Sequence, residues 1–289
     1  MTYWKAAVCE TNGIKVHYTR TGGSKPPLIL LHGLTANGAC WTAVARALEG
    51  EYDVIMPDAR GHGESSVPDH GYQYEDHAND VVGLIKALRL SFPALLGHSM
   101  GGMTAVVVAS RKPNLLRGLI LADPAFLSPE FQRQVFASDA VDQHREMLTK
   151  PLDELVAEAT IRHPDRSPEI LGLLAQARLQ TSVSAFEVLR PPNPDYMQLV
   201  SAIAVPSLFV TGDSGVVSPA VAAELQRLNP RIQVDQIPEA GHGVQYDQPD
   251  RFAAVVQSFL RSIPAGGGRS AGPLISSLRM DALECARHS

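Results

Sequence analysis

Cysteine is scarce in this chain. Three occur in 289 residues, Cys9, Cys40 and Cys285, an odd number without ligand-like spacing, so neither a disulfide framework nor a cysteine metal site is predicted. Stability must then come from a core, and at this length about three quarters of the unfolded chain's surface can be buried. Basic runs are also missing. With 25 Lys and Arg against 30 Asp and Glu the formal net charge is −5, which argues against nucleic acid as a partner. No uninterrupted apolar run reaches the ~18 residues of a membrane helix, and residues 1–10 contain no apolar signal core. These absences predict a cytoplasmic protein, monomer or homodimer, without a membrane partner. No G-x-G-x-x-G or P-loop sequence occurs, and no two histidines stand one turn apart on a helix, so no nucleotide cofactor and no metal is expected.

What is present is a regular alternation. Leu28-Ile29-Leu30-Leu31, Val54-Ile55-Met56, Pro93-Ala94-Leu95-Leu96, Leu119-Ile120-Leu121 and Leu208-Phe209-Val210 are short apolar runs bounded by Gly, Pro, Asp or Ser. They read as buried parallel strands. Between and after them, Val81, Leu84, Ile85 and Leu88 recur at helical spacing, as do Phe252, Val255, Val256 and Phe259 behind Pro249. Ser218-Pro219 opens a further helix. Strand–helix repetition predicts an α/β fold, a doubly wound sheet with helices on both faces, preceded by a hairpin over residues 6–21 that turns at Asn12-Gly13. The alternation stops after Phe126. Residues 130–147, 152–161, 168–179 and 183–189 read as helical pieces without a strand among them. The predicted organisation is therefore a core over 1–125 and 203–264, an inserted helical cap over 126–202, and a flexible C-terminal tail over 265–289 that starts at Gly266-Gly267-Gly268.

The chemistry centres on Gly97-His98-Ser99-Met100-Gly101. A serine between a buried strand and a helix sits on a sharp turn, which exposes its hydroxyl and aims the helix N-terminus at it. A serine hydroxyl is a weak nucleophile at neutral pH and needs a base, itself oriented by an acid. His242, in Ala240-Gly241-His242-Gly243, follows the last predicted strand on a glycine-flanked loop and is the candidate base.

With His32-Gly33 after one strand, Asp58-Ala59-Arg60-Gly61-His62-Gly63-Glu64-Ser65 after the next, the elbow and Gly241-His242, the chain resembles the α/β-hydrolase family over residues 10–263. The resemblance implies an eight-stranded, mostly parallel sheet, a triad acid between Ser99 and His242, and an oxyanion hole made by the backbone amides of Leu34 and Met100. In much of the family the acid stands three residues after a glycine that ends the seventh strand. Here that glycine is Gly212, and the third residue on is Gly215. Asp213 is the nearby alternative. The other family position, used by zearalenone lactonases among others, is the end of the sixth strand, where this chain has Ala122-Asp123-Pro124. Asp123 is the favoured acid.

Serine at the elbow counts against haloalkane dehalogenase and epoxide hydrolase chemistry, which use aspartate there. The reading is a serine esterase or lactonase that passes through an acyl-enzyme and takes a small hydrophobic ester or lactone. Phe126, Leu127, Phe131, Phe136, Met147, Phe186 and Tyr196 are the candidate pocket lining. Three alternatives stand beside it. One is carbon–carbon bond hydrolysis of dienone acids, with Arg162, Arg178 or Arg190 taking the substrate carboxylate; another is cofactor-free perhydrolysis; the third is a slow-turnover ligand receptor of the same fold. His32 is expected to fix the oxyanion loop, Asp58, Arg60 and His62 to brace the turn after the fourth strand, and His98 to pack.

Overall fold

Alternation inside each strand sets the layers. In β3 (Pro27–Leu31), Ile29 and Leu31 face one side of the sheet and Leu28 and Leu30 the other. β5 (Ala94–His98), β6 (Gly118–Ala122) and β7 (Ser207–Thr211) divide in the same way, with Leu95, Leu119, Leu121 and Phe209 on the first side and Leu96, Ile120, Leu208 and Val210 on the second. Strands apolar on both faces must be covered on both. The helices Tyr74–Ala87, Met100–Arg111 and Pro219–Leu228 contribute to the first core, whereas Thr42–Leu48 and Pro249–Ser262 contribute to the second, around Trp41 and Phe252.

The structure is a computed structural model, described over residues 4–264. With β1 (Lys5–Thr11), β2 (Ile14–Arg20), β4 (Asp53–Pro57) and β8 (Ile232–Gln236), eight strands form one sheet in the order β1-β2-β4-β3-β5-β6-β7-β8. β2 runs antiparallel to β1 and to β4, and every pairing from β4 to β8 is parallel. The hairpin turns at Asn12 and Gly13, both with positive φ. The expected tail over 265–289, with Cys285, lies outside the described residues. No helix among the described residues is long and apolar enough to cross a membrane.

Between β6 and β7 lie only helical elements: Pro129–Phe136, Ala140–Met147, Leu152–Arg162, Pro168–Leu179, the 3-10 turn Val183–Leu189, and Tyr196–Ser201. Periodicity alone merges the first two, which break at residues 137–139. Ser128 and Ser167 each cap a helix whose first residue is proline, the side chain accepting from the amide of the third helical residue, Phe131 or Ile170. The aromatic residues here do not share one destination. Phe126 stacks on Tyr196 and Phe209, Phe186 stacks on His144, and Phe131 and Phe136 are exposed.

The turn after β4 is held by buried charge. Asp58 accepts from the Gly38 and Glu64 amides at 2.8 and 3.0 Å and from His17 Nδ1 at 2.8 Å. Arg60 forks onto Asp80 at 2.7 and 2.6 Å, both residues buried. His32, His62 and His77 are packed beside this turn, with the rings of His32 and His62 5.0 Å apart edge to face. Burial holds all three below the ordinary histidine value, and His77, facing Arg60 as well, is pushed down to about 3. The native chain therefore refuses protons that the unfolded chain binds below pH 6.5. Stability is complete above that pH and is lost as pH falls towards the folded values, each such histidine contributing up to ~1.4 kcal/mol per pH unit. Urea midpoints measured from pH 7.5 to 5.5 should fall steadily, and the fall should be shallower in His77→Gln. Identical slopes in the two proteins would contradict the buried-histidine account.

Candidate active site

Register brings the first two site residues together. β5 and β6 pair Gly97 with Leu121 and His98 with Ala122, so Ser99 and Asp123 leave neighbouring strands at the same level. Their amides are still tied to the sheet, Ser99 to the Ala122 carbonyl at 3.2 Å and Asp123 to the Val210 carbonyl at 2.9 Å. Both backbones are strained, with φ of 52° at Ser99 and 37° at Asp123. The elbow glycines serve a different need. A β-carbon on Gly97 would strike the Gly101 carbonyl, one on Gly101 the Leu31 carbonyl, and one on Gly102 would lie 2.7 Å from Pro124. They let the helix Met100–Arg111 start hard against β3 and the turn after β6, while the serine itself holds the strain.

His242 arrives from the loop after β8. It lies between the other two: Ser99 Oγ is 3.0 Å from its Nε2, and its Nδ1 is 2.5 Å from Asp123 Oδ2. Asp123 is fully buried, and its two oxygens also accept the amides of Val216 at 2.7 Å and Val217 at 3.0 Å. A carboxylate so surrounded by donors acts as acceptor only, so the proton of the Asp123–His242 bond sits on Nδ1. Nε2 then presents its lone pair to the serine hydroxyl. This is the arrangement that lets a histidine take a proton from a nucleophile.

The alternative acid, Asp213, is elsewhere. It is exposed and accepts from Gln236 Nε2 at 3.1 Å and from the Glu239 amide at 2.7 Å, bracing the turns that follow β7 and β8. The glycine at the other family position is informative. A β-carbon on Gly215 would stand 2.6 Å from both carboxylate oxygens of Asp123. The residue is small because the Asp123 carboxylate fills the space where its side chain would begin.

The loop after β3 crosses directly over the serine. A β-carbon on Gly33 would lie 2.9 Å from His98 Nδ1 and 3.1 Å from Ser99 Cβ. His32 ties this loop down: its Nδ1 donates to the Gly33 carbonyl at 2.8 Å and its Nε2 accepts the Ala59 amide at 2.9 Å. Thr35 holds a φ of 67°. Among the described residues the amides of Leu34 and Met100 have no protein acceptor, and Leu34 and Ser99 line the same cavity.

Two supports of His242 carried no sequence signal. His98, read as packing, donates from Nε2 to the His242 carbonyl at 2.9 Å, with the two rings 4.7 Å apart. Burial, then the neighbouring His242, keeps His98 well below the ordinary histidine value, so it donates as a neutral ring. Asp247 accepts the Gly241 amide at 2.9 Å and Arg166 Nε at 2.7 Å, so a residue of the helical insert is tied to the histidine loop. These partners are 81 positions apart, and no local pattern announces them.

The cavity over Ser99 measures about 570 Å³. Its wall combines Leu34, Leu155, Leu171 and Leu174 with Arg162, Arg166 and Arg178. Of the residues expected to line it, only Met147 does. The others are apolar residues of the insert, which does not say what each one meets: Phe126 and Tyr196 went to the sheet, Phe186 to His144, and Phe131 and Phe136 to the surface. Arg190, the third cationic candidate, lies instead beside Phe136, bonded to Glu187.

A doubly wound eight-stranded sheet with a strained serine at the strand–helix elbow defines the α/β hydrolases as a class. The sequence profile of the Alpha/beta hydrolase family matches residues 28–255, and the chain belongs to that family. N-formylmaleamate deformylase of Pseudomonas putida is 33% identical over 267 residues, 87% of this chain and 94% of that one. An sn-1-specific diacylglycerol lipase of Mus musculus is 32% identical over 260 residues, 81% of each chain. The crystal structure of E-2-(acetamidomethylene)succinate hydrolase superposes with a TM-score of 0.78 at 25% identity, covering 90% of this chain and all of that one. The protein is a hydrolase.

Because the Asp123 carboxylate and Gly215 share one space, Gly215→Ala should displace that carboxylate without straining the backbone. Hydrolytic kcat should fall by at least about tenfold while the far-ultraviolet circular dichroism is retained. Wild-type kcat in this variant would show that the contact yields freely.

Proposed function

We propose that the protein is a serine hydrolase that cleaves a carboxylic ester or lactone by way of an acyl-enzyme. The hydrogen-bonded line from Ser99 through His242 to Asp123, opening on a cavity, carries this reading. His242 Nε2 takes the hydroxyl proton as Ser99 Oγ attacks the carbonyl carbon. Asp123 holds the imidazole in its Nδ1–H tautomer and stabilises the imidazolium that forms. The oxyanion is received by the Leu34 and Met100 amides, the second at the start of a twelve-residue helix whose dipole favours negative charge. Donors of this kind are typically worth ~3–4 kcal/mol each in the transition state. The imidazolium returns its proton to the leaving oxygen, and water activated by the same nitrogen releases the acid.

The insert over 126–202 acts as a cap in this reading, since Met147, Leu155 and Leu174 supply part of the cavity wall. The relatives' named activities range from a diacylglycerol lipase to a deformylase, and esters lie within that range. Each of these relatives is named for a reaction, which supports catalysis over a receptor role.

Hydrolysis of p-nitrophenyl butyrate provides the test. Ser99→Ala should reduce turnover to background with the fold intact. Asp123→Asn should cost up to ~10⁴-fold in kcat by the logic of serine triads, while Asp213→Asn stays near wild type. Undiminished turnover in Ser99→Ala would remove the proposal, and a larger loss in Asp213→Asn than in Asp123→Asn would overturn the choice of acid.

A further inference from the structure

The cavity over Ser99 has a charge imbalance that the triad does not use. Three arginines are among its lining residues, Arg162, Arg166 and Arg178, together with two acidic residues, Glu158 and Asp247. Both carboxylates are already matched. Asp247 holds Arg166 Nε at 2.7 Å, and Glu158 is paired with Lys150, which is not part of the wall. Among the described residues, Arg162 and Arg178 are left without a carboxylate partner.

The two residues sit on adjacent helices that pack together, Leu152–Arg162 and Pro168–Leu179. Arg162 is exposed and Arg178 half-buried. Burial, and after it the charge of Arg162, lowers the Arg178 pKa below the ordinary arginine value. A guanidinium nevertheless remains charged at neutral pH, so two like charges are held near each other at the edge of the cavity. Arg178 lies in the last turn of its helix, where the dipole favours a cation, but that effect is small and leaves its donor fork unfilled. The neighbouring wall is aliphatic: Leu155, Ala159, Leu171, Leu174 and Ala175.

The geometry points to an anion subsite in which Arg178, assisted by Arg162, receives a carboxylate carried by the substrate while the aliphatic wall takes its apolar body. This rests on the serine-hydrolase reading and deepens it: the ester or lactone is amphipathic, with a free carboxylate on the acyl or the leaving part. A carboxylate matches the guanidinium fork in shape as well as charge. An uncharged ester of the same length gains only the aliphatic contacts.

The experiment compares two p-nitrophenyl esters of equal acyl length, the valerate and the hydrogen glutarate. In the wild type, kcat/KM should favour the glutarate ester. In Arg178→Met, which keeps the aliphatic stem, the ratio of the two values should drop by about tenfold or more, mainly through KM for the charged ester. Arg178→Lys should lie between, since it keeps the charge and loses the fork. The melting temperature of Arg178→Met should hold or rise, because a poorly compensated charge has been removed.

Equal losses on both esters, or a fallen melting temperature with an unchanged ratio, would make Arg178 structural and overturn the subsite. Calorimetric titration of Ser99→Ala with the glutarate ester separates this proposal from the catalytic one. Binding that disappears in the Ser99→Ala, Arg178→Met double variant supports the subsite even if the wild type turns over neither ester. Binding that ignores Arg178 overturns it whatever the turnover.

Discussion

A carboxylate without solvent contact is the constraint on which the site depends. Isolated, the Asp123 charge would be among the costliest groups in the fold, and it is tolerable only with its acceptor positions filled. The donors come from two separate stretches of chain, and a third contact fixes the backbone. Val216 and Val217 bring the loop after β7, His242 brings the loop after β8, and the strained Asp123 backbone is anchored to β7 through the Val210 carbonyl. The loops after β7 and β8 are further joined by the bridge between Ser214 and Gly241. Where Asp123 sits, these loops must follow. The position of the imidazole over Ser99 is thus a by-product of satisfying one buried charge.

The same device recurs at other joints. Asp53 takes the fork of Arg20 and the Gly22 amide, Asp58 gathers Gly38, Glu64 and His17, and Asp247 links Gly241 with Arg166. Charged hydrogen bonds to loop amides are stronger and more directional than neutral ones, so a few acids can fix loops that have little apolar surface of their own. Buried neutral histidines complement them. His32 and His98 each donate to one defined carbonyl, and His32 also accepts the Ala59 amide, a role that needs its second nitrogen unprotonated.

Much of this was legible in the sequence because it was local. The apolar runs that became β3 to β7 are short and bounded by turn residues, so strand assignment needed nothing beyond neighbours. The serine and histidine stand in glycine-framed turns that few other roles require. The histidine's carboxylate partner was harder, since Asp123 and Asp213 are both aspartates at strand ends, and only the meeting of three loops separates them. The pocket wall was illegible for a related reason. An amphipathic helix announces an apolar face, but whether that face meets the sheet, a neighbouring helix or a cavity is decided by how the helices pack. Phe126 and Tyr196 met each other against Phe209, and the cavity fell to leucines and arginines.

The closeness of Gly215 to Asp123 has a historical consequence. One point in space holds the negative charge, and two segments of chain can deliver it, but never both at once. Moving the charge from one segment to the other therefore passes through an ancestor that is either overcrowded or missing its acid. Such a move is hard to make and equally hard to reverse, so lineages divided by it would stay divided. Matching columns between their sequences would then pair an aspartate with a glycine although the carboxylate stands in the same place. What such lineages would share is visible only in the two positions read together, one acidic and the other small.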